Sequence, residues 1–197
     1  MLQKASLAAW LGNDTEYSAI RQSMLDWMDL SETSGIRRAN DAERAAKAIC
    51  LRPLADPKIR EAVLALARKG VELGRGQSDE PWFQLALGMA EYRAGNYRAA
   101  ANALATVPSG IIKDTWRPNL VTVTADFYLA MSLFQAGDQV EAGELLSAAE
   151  SKMAPLPSDE KDPLADVDSH DYLVIWMAYK EAKALLGDKE ADLPPAQ

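Results

Sequence analysis

The chain has one histidine and one cysteine, so any nucleophilic or acid–base chemistry built on those side chains must use His170 or Cys50. His170 stands between Ser169 and Asp171. A catalytic triad needs converging geometry, and residues adjacent in sequence rarely converge; the trio reads instead as a helix start, where short polar side chains cap exposed amides. Cys50 lies at no helix start and beside no basic cluster that would lower its pKa, and it reads as a small packing residue. The two residues together fall short of the roughly four ligands of a structural zinc site.

Two further segments offer chemistry of other kinds. Gly74-Arg75-Gly76-Gln77-Ser78-Asp79 begins like a phosphate-binding loop, but Asp79 stands where a third glycine is needed and no strand precedes it. The expectation is a turn that ends a helix. Asp159, Glu160, Asp162, Asp166, Asp168 and Asp171 form an acidic run without the glycine and distant glutamate of a twelve-residue calcium loop; it reads as a solvated linker. The glycine-rich loop, paired lysine, His-Arg-Asp loop and Asp-Phe-Gly site of a protein kinase are all missing from the sequence. The chain is therefore expected to be no enzyme and to need no cofactor or metal.

The elements that hold these residues are expected to be helices. The chain has 197 residues, 48% of them hydrophobic, and is long enough to bury roughly 70% of the surface its unfolded form exposes. Its alanine- and leucine-rich composition favours helix over sheet. A formal charge of −8 repels phosphate backbones, so no nucleic-acid partner is expected. The apolar patch over residues 1–11 is too short and too weakly basic for a signal peptide. No apolar run reaches the roughly 20 residues that cross a bilayer, and membrane insertion is not expected. With its lone cysteine the chain is expected in a reducing cytoplasm.

Helix starts are marked by Asn13 with Glu16, Asn40 with Glu43, Asp138 with Glu141, and the Asp56-Pro57 and Glu80-Pro81 pairs. Ile59, Ala62, Val63, Leu66, Gly70 and Leu73 form one stripe at helical spacing. Residues 82–94 carry two such rows, which requires neighbours on more than one side. The expected helices cover about 2–11, 14–30, 40–52, 57–74, 81–94, 97–107, 122–136, 139–153 and 169–187. They pair into hairpins at about 2–30, 40–74, 81–107 and 122–153, with a last capping helix, in a single domain over 1–197.

The third and fourth hairpins repeat at an offset of 42 residues: Leu87, Gly88, Met89, Tyr92, Ala94, Gly95, Asn96, Ala100 and Leu104 match Leu129, Ala130, Met131, Phe134, Ala136, Gly137, Asp138, Ala142 and Leu146. Small residues recur where helices approach closely, and glycine recurs where the first helix must stop. The run from Leu87 to Ala100 resembles a tetratricopeptide repeat, whose usual period is about 34 residues; the excess falls in the 108–120 loop. The fold this resemblance implies is all-α, a right-handed tetratricopeptide-like solenoid of four hairpins plus a capping helix. The ordered set Trp10-Leu11-Gly12, 42–48, Pro81-Trp82-Phe83-Gln84-Leu85-Ala86 and His170-Asp171-Tyr172-Leu173 also resembles a region C-terminal to the catalytic domain of certain bacterial serine/threonine protein kinases. That resemblance implies a non-catalytic accessory segment of a signalling protein.

In such a solenoid the first helix of each pair lines the concave face. Here this places Leu85, Met89, Tyr92 and Arg93, then Phe127, Met131, Phe134 and Gln135, on a Met-rich surface suited to a protein or peptide partner. Trp116 is a second anchor candidate. The same side chains could instead pack against the long loops or the last helix. A spacer or self-associating module, and an enzyme of unrecognised type, are the alternatives to a protein-interaction scaffold.

Overall fold

A computed structural model describes residues 1–30, 35–108 and 118–190. Among the described residues there are nine α-helices and no strand: α1 (Leu2–Trp10), α2 (Asp14–Leu30), α3 (Gly35–Ile49), α4 (Pro57–Gly74), α5 (Glu80–Arg93), α6 (Tyr97–Leu104), α7 (Pro118–Ala136), α8 (Gln139–Glu150) and α9 (Asp171–Glu190). The local signals act as expected at two starts. Asn13 Oδ1 accepts the Glu16 amide at 3.2 Å, and the Asp56 carboxylate accepts the Lys58 amide at 2.8 Å ahead of Pro57.

Asn40 and Glu43 are a correction. They do not begin a helix, because α3 starts at Gly35. The added turn buries Ala39 in line with Ala42 and Ala46, and Glu43 is used for an ion pair on the helix flank. α7 likewise begins four residues before the expected start at 122, at Pro118, a residue suited to a first helical turn.

Three helix-to-helix turns, at Gly12, Gly95 and Gly137, share one hydrogen-bond pattern. Gly95 and Gly137 adopt φ of 81° and 101°, a conformation open to glycine. The Gly95 amide donates to Tyr92 O (3.0 Å) and the Asn96 amide to Glu91 O (2.9 Å); in the next hairpin Gly137 donates to Phe134 O (3.1 Å) and Asp138 to Leu133 O (2.9 Å). This is a Schellman closure that satisfies the last carbonyls of the first helix, and its final residue opens the second helix.

The packing order follows the chain and then closes. Each even-numbered helix packs against the two odd-numbered helices beside it in sequence: α2 on α1 and α3, α4 on α3 and α5, α6 on α5 and α7, α8 on α7 and α9. The odd-numbered helices form a cycle of contacts, α1 to α3 to α5 to α7 to α9 and back to α1. The two ends of the helical series therefore meet. Trp10 of α1 lies 5.9 Å from Trp176 of α9 between ring centroids, and Lys180 stands 4.2 Å above the Trp10 ring. Leu85, Met89, Phe127 and Met131 belong to the apolar core of this cycle.

Close approach inside a hairpin rests on Gly88. A Cβ there would lie 2.3 Å from Leu104 Cγ, and Leu104 is itself buried. We predict that Gly88→Ala costs about 1–3 kcal/mol from overpacking. Combined with Leu104→Ala, its measured cost in urea unfolding should fall well below the sum of the two single effects.

Candidate functional site

The expected binding face is occupied by the protein itself. Leu85, Met89, Phe127 and Met131 are fully buried, and Tyr179 of α9 lies 5.7 Å from Phe127 between ring centroids. Tyr92 is half-buried, stacked edge-on against Tyr128 at 5.7 Å, and Phe134 is half-buried too. Gln135 remains exposed. Trp116 lies outside the described residues. The physical reason for the filling is the closure: once α9 sits on α7 and reaches α1, the inward faces point at one another and not at solvent.

Arg93 is the most constrained member of that set. Its guanidinium donates Nε to Cys50 O at 2.8 Å and Nη2 to Tyr128 Oη at 3.1 Å, while Nη1 and Nη2 grip the Glu181 carboxylate, the latter at 2.6 Å from Oε2. The Arg93 side chain is only 3% exposed. Burial works against its charge, but Tyr128 and Glu181 more than offset that, and the guanidinium stays protonated. Arg93 is thus committed to the interior and is not available as a clamp for a peptide carboxylate.

A cleft opens at a different place. A cavity of about 860 Å³ lies between the start of α1, the flank of α3, the start of α5 and the segment leading into α9. Its floor is a charged cluster. Lys47 Nζ is 2.9 Å from Glu43 Oε1, 3.3 Å from Asp171 Oδ1 and 4.3 Å from the centre of the Trp82 ring. The Lys47 and Glu43 side chains are 5% and 8% exposed. The Glu43 Oε1 oxygen is sealed from solvent and has the Lys47 ammonium as its partner.

The electrostatics of the floor follow from burial and pairing. Burial pushes the Glu43 carboxyl above its ordinary range, and Lys47 only partly offsets this. Burial also pulls against the Lys47 charge, but Glu43 and Asp171 together outweigh it and hold the ammonium on. At Asp171 burial is again opposed, here by Lys47 and His170, and the carboxyl settles below its ordinary value.

The remaining reactive candidates are structural in this arrangement. Ser169 Oγ accepts the Asp171 amide at 3.2 Å and donates to Asp171 Oδ2, capping α9. His170 Nε2 is 3.9 Å from Asp171 Oδ1. Cys50 is fully buried and its thiol is pushed up to about 12 by that burial, which leaves no thiolate at neutral pH. The Gly74–Asp79 segment is a tight turn in which the Gly76 amide donates to Glu80 Oε2 at 2.9 Å. The acidic run folds back on the helices: Trp10 Nε1 donates to Glu160 O at 2.9 Å, and Lys180 pairs with Glu160 Oε1 at 2.7 Å.

Among the described residues no three His, Cys, Asp or Glu side chains are grouped as metal ligands, and no helix is long and apolar enough to cross a membrane. No protein-family model, curated protein or solved structure matches the chain.

Sequence reasoning overlooked the cleft, although part of it was visible. Glu43 and Lys47 stand at i and i+4 in the favourable order, but their burial depends on Trp82 and Asp171, which come from distant segments. We predict that Lys47→Met destabilises the fold by about 3–5 kcal/mol, since it strands buried carboxylates. Adding Glu43→Gln should recover much of that loss in urea unfolding. The lowered Asp171 value carries a sign of its own: the stability it gives is complete above its ordinary value of 3.8 and is lost as pH falls through the folded value below that. Asp171→Asn should therefore flatten the acid limb of a stability-versus-pH profile.

Proposed function

We propose that this chain is a non-catalytic platform of tetratricopeptide-like helical pairs that docks a protein or peptide partner, as an accessory segment of a bacterial serine/threonine kinase system in the cytoplasm. The observation that carries this reading is convergence. Glu43 and Lys47, Trp82, and His170 with Asp171 lie in three of the four separated segments that carry the resemblance to kinase C-terminal regions, and all of them border one cleft.

The cleft has the volume of a typical recognition site, mixes an aromatic ring with buried polar groups, and is framed by helix termini. The regular hairpin turns support the repeat-derived part of the reading: identical Schellman closures stand 42 residues apart, at Gly95 and Gly137. Docking is proposed at the cleft and not at the inward faces of α5 and α7, because those faces are core.

Affinity capture followed by reconstitution with the purified partner tests the proposal. A Trp82→Ala variant that keeps the wild-type helical circular dichroism should bind the reconstituted partner at least about tenfold more weakly, the loss expected for an aromatic anchor worth more than 1 kcal/mol. Unchanged affinity in that variant, or turnover of a substrate by the isolated chain, would contradict it.

A further inference from the structure

We infer that residues 154–190 form a hinged arm that two copies of this chain exchange, so that α9 of each copy closes the helical cycle of the other. This exchange is independent of the docking reading above. The arm is defined by its own contacts. Trp176 Nε1 donates to Ala154 O at 3.2 Å, Lys180 Nζ meets Glu160 Oε1 at 2.7 Å, and Ser158 Oγ donates to Asp166 Oδ2 at 2.8 Å. The segment leading to α9 is thereby tied to the helix it carries, and Ser151–Met153 is the stretch left to act as a hinge.

What the arm grips is mostly not its neighbour in sequence. α9 packs on α7 and α1 and only at its margin on α8, where Lys183 pairs with Glu150 at 3.1 Å. Its other ion pairs reach Lys47 of α3, 3.3 Å from Asp171, and Arg93 at the end of α5, 2.6 Å from Glu181 Oε2. It buries Leu173, Val174, Ile175, Trp176, Ala178 and Ala182. An undocked arm would expose that apolar face, and the surface that fits it side chain for side chain is the ring of a second copy. Exchange makes the same contacts again and needs no new interface.

The hinge has two ways to run. α1, α5 and α7 stop at glycines with positive φ, Gly12, Gly95 and Gly137, but α8 runs into Ser151, Lys152, Met153 and Ala154 with no such stop. Ser151 keeps a helical φ of −65° and ψ of −18°. Beyond it the turn tightens: the Lys152 amide donates to Ala149 O at 3.1 Å and the Met153 amide to Glu150 O at 3.4 Å, three residues back instead of the four of an α-helix. Moving those two amides back by one acceptor continues α8 through Met153, and Pro155 ends it. The arm then points away from its own body. Straightening releases the ion pair of Lys152 with Asp126, a contact of small worth because the lysine side chain is 42% exposed.

In the exchanged dimer the cleft becomes a joint site. Glu43, Lys47 and Trp82 come from one copy, and Ser169, His170 and Asp171 from the other.

Size exclusion with light scattering, on the full chain refolded from urea at high protein concentration, tests this. Wild type should give monomer and dimer with the same helical circular dichroism, since the exchanged contacts are identical. Inserting Gly-Gly-Ser-Gly between Met153 and Ala154 lets the arm reach its own body without a tight turn, and should lower the dimer association constant at least about tenfold. A second measurement separates exchange from contact between closed monomers. Tagged and untagged dimers, mixed folded, should form mixed dimers much more slowly than when refolded together, because α9 must first leave the other copy's ring. No dimer at any concentration, equal dimerisation after the insertion, or mixing of folded dimers as fast as joint refolding overturns the inference.

Discussion

The last carbonyls of α3 are the point on which the fold turns. A helix leaves its final C=O groups without intrahelical partners, and here that end is buried: Ile49, Cys50 and Leu51 are all in the core. Three side chains from three other helices answer it. Tyr17 Oη of α2 donates to both Ala48 O and Ile49 O at 3.0 Å, Tyr128 Oη of α7 donates to Cys50 O at 3.3 Å, and Arg93 at the end of α5 donates to Cys50 O and Leu51 O. A cation also complements the negative end of the helix dipole. Arg93 suits this place where lysine would not, because its planar fork reaches carbonyls on one side and the Glu181 carboxylate of α9 on the other.

Closure of the helical cycle follows from that requirement. By engaging Glu181, the Arg93 guanidinium draws α9 onto the same node as α2, α3, α5 and α7, and α9 then reaches α1 through Trp176 and Trp10. The inward faces of α5 and α7 have no solvent left to meet. α3 contributes twice to the molecule: its last turn is the buried node, and Glu43 and Lys47 on its flank form the floor of the open cleft. Core and candidate site thus share one helix, which fixes the cleft relative to the node.

Local signals in the sequence are faithful where the physics is local. The Gly95 and Gly137 turns and the Asp56 cap depend on neighbours a few residues apart, and the 42-residue offset shows the two glycine turns directly. Asn40 with Glu43 misleads because a capping pair and an interior ion-pair flank look alike until burial is known. Met89 and Met131 are recognisable as inward-facing, but whether that face is open is decided by α9. Arg93 and Glu181 stand 88 positions apart, and no periodicity connects them. The cleft is hidden for the same reason: Lys47 meets Asp171 across 124 positions.

The most direct test of this account is equilibrium urea unfolding of Arg93→Met against wild type. The substitution keeps apolar bulk while leaving Glu181 without its buried partner and the α3 carbonyls short of donors. The account predicts a loss of about 3–5 kcal/mol, the range for breaking a buried ion pair from one side, with faster amide hydrogen exchange in α9 than in α4 or α6. A loss under about 1 kcal/mol, the scale of an exposed ion pair, with α9 protected as in wild type, would contradict it.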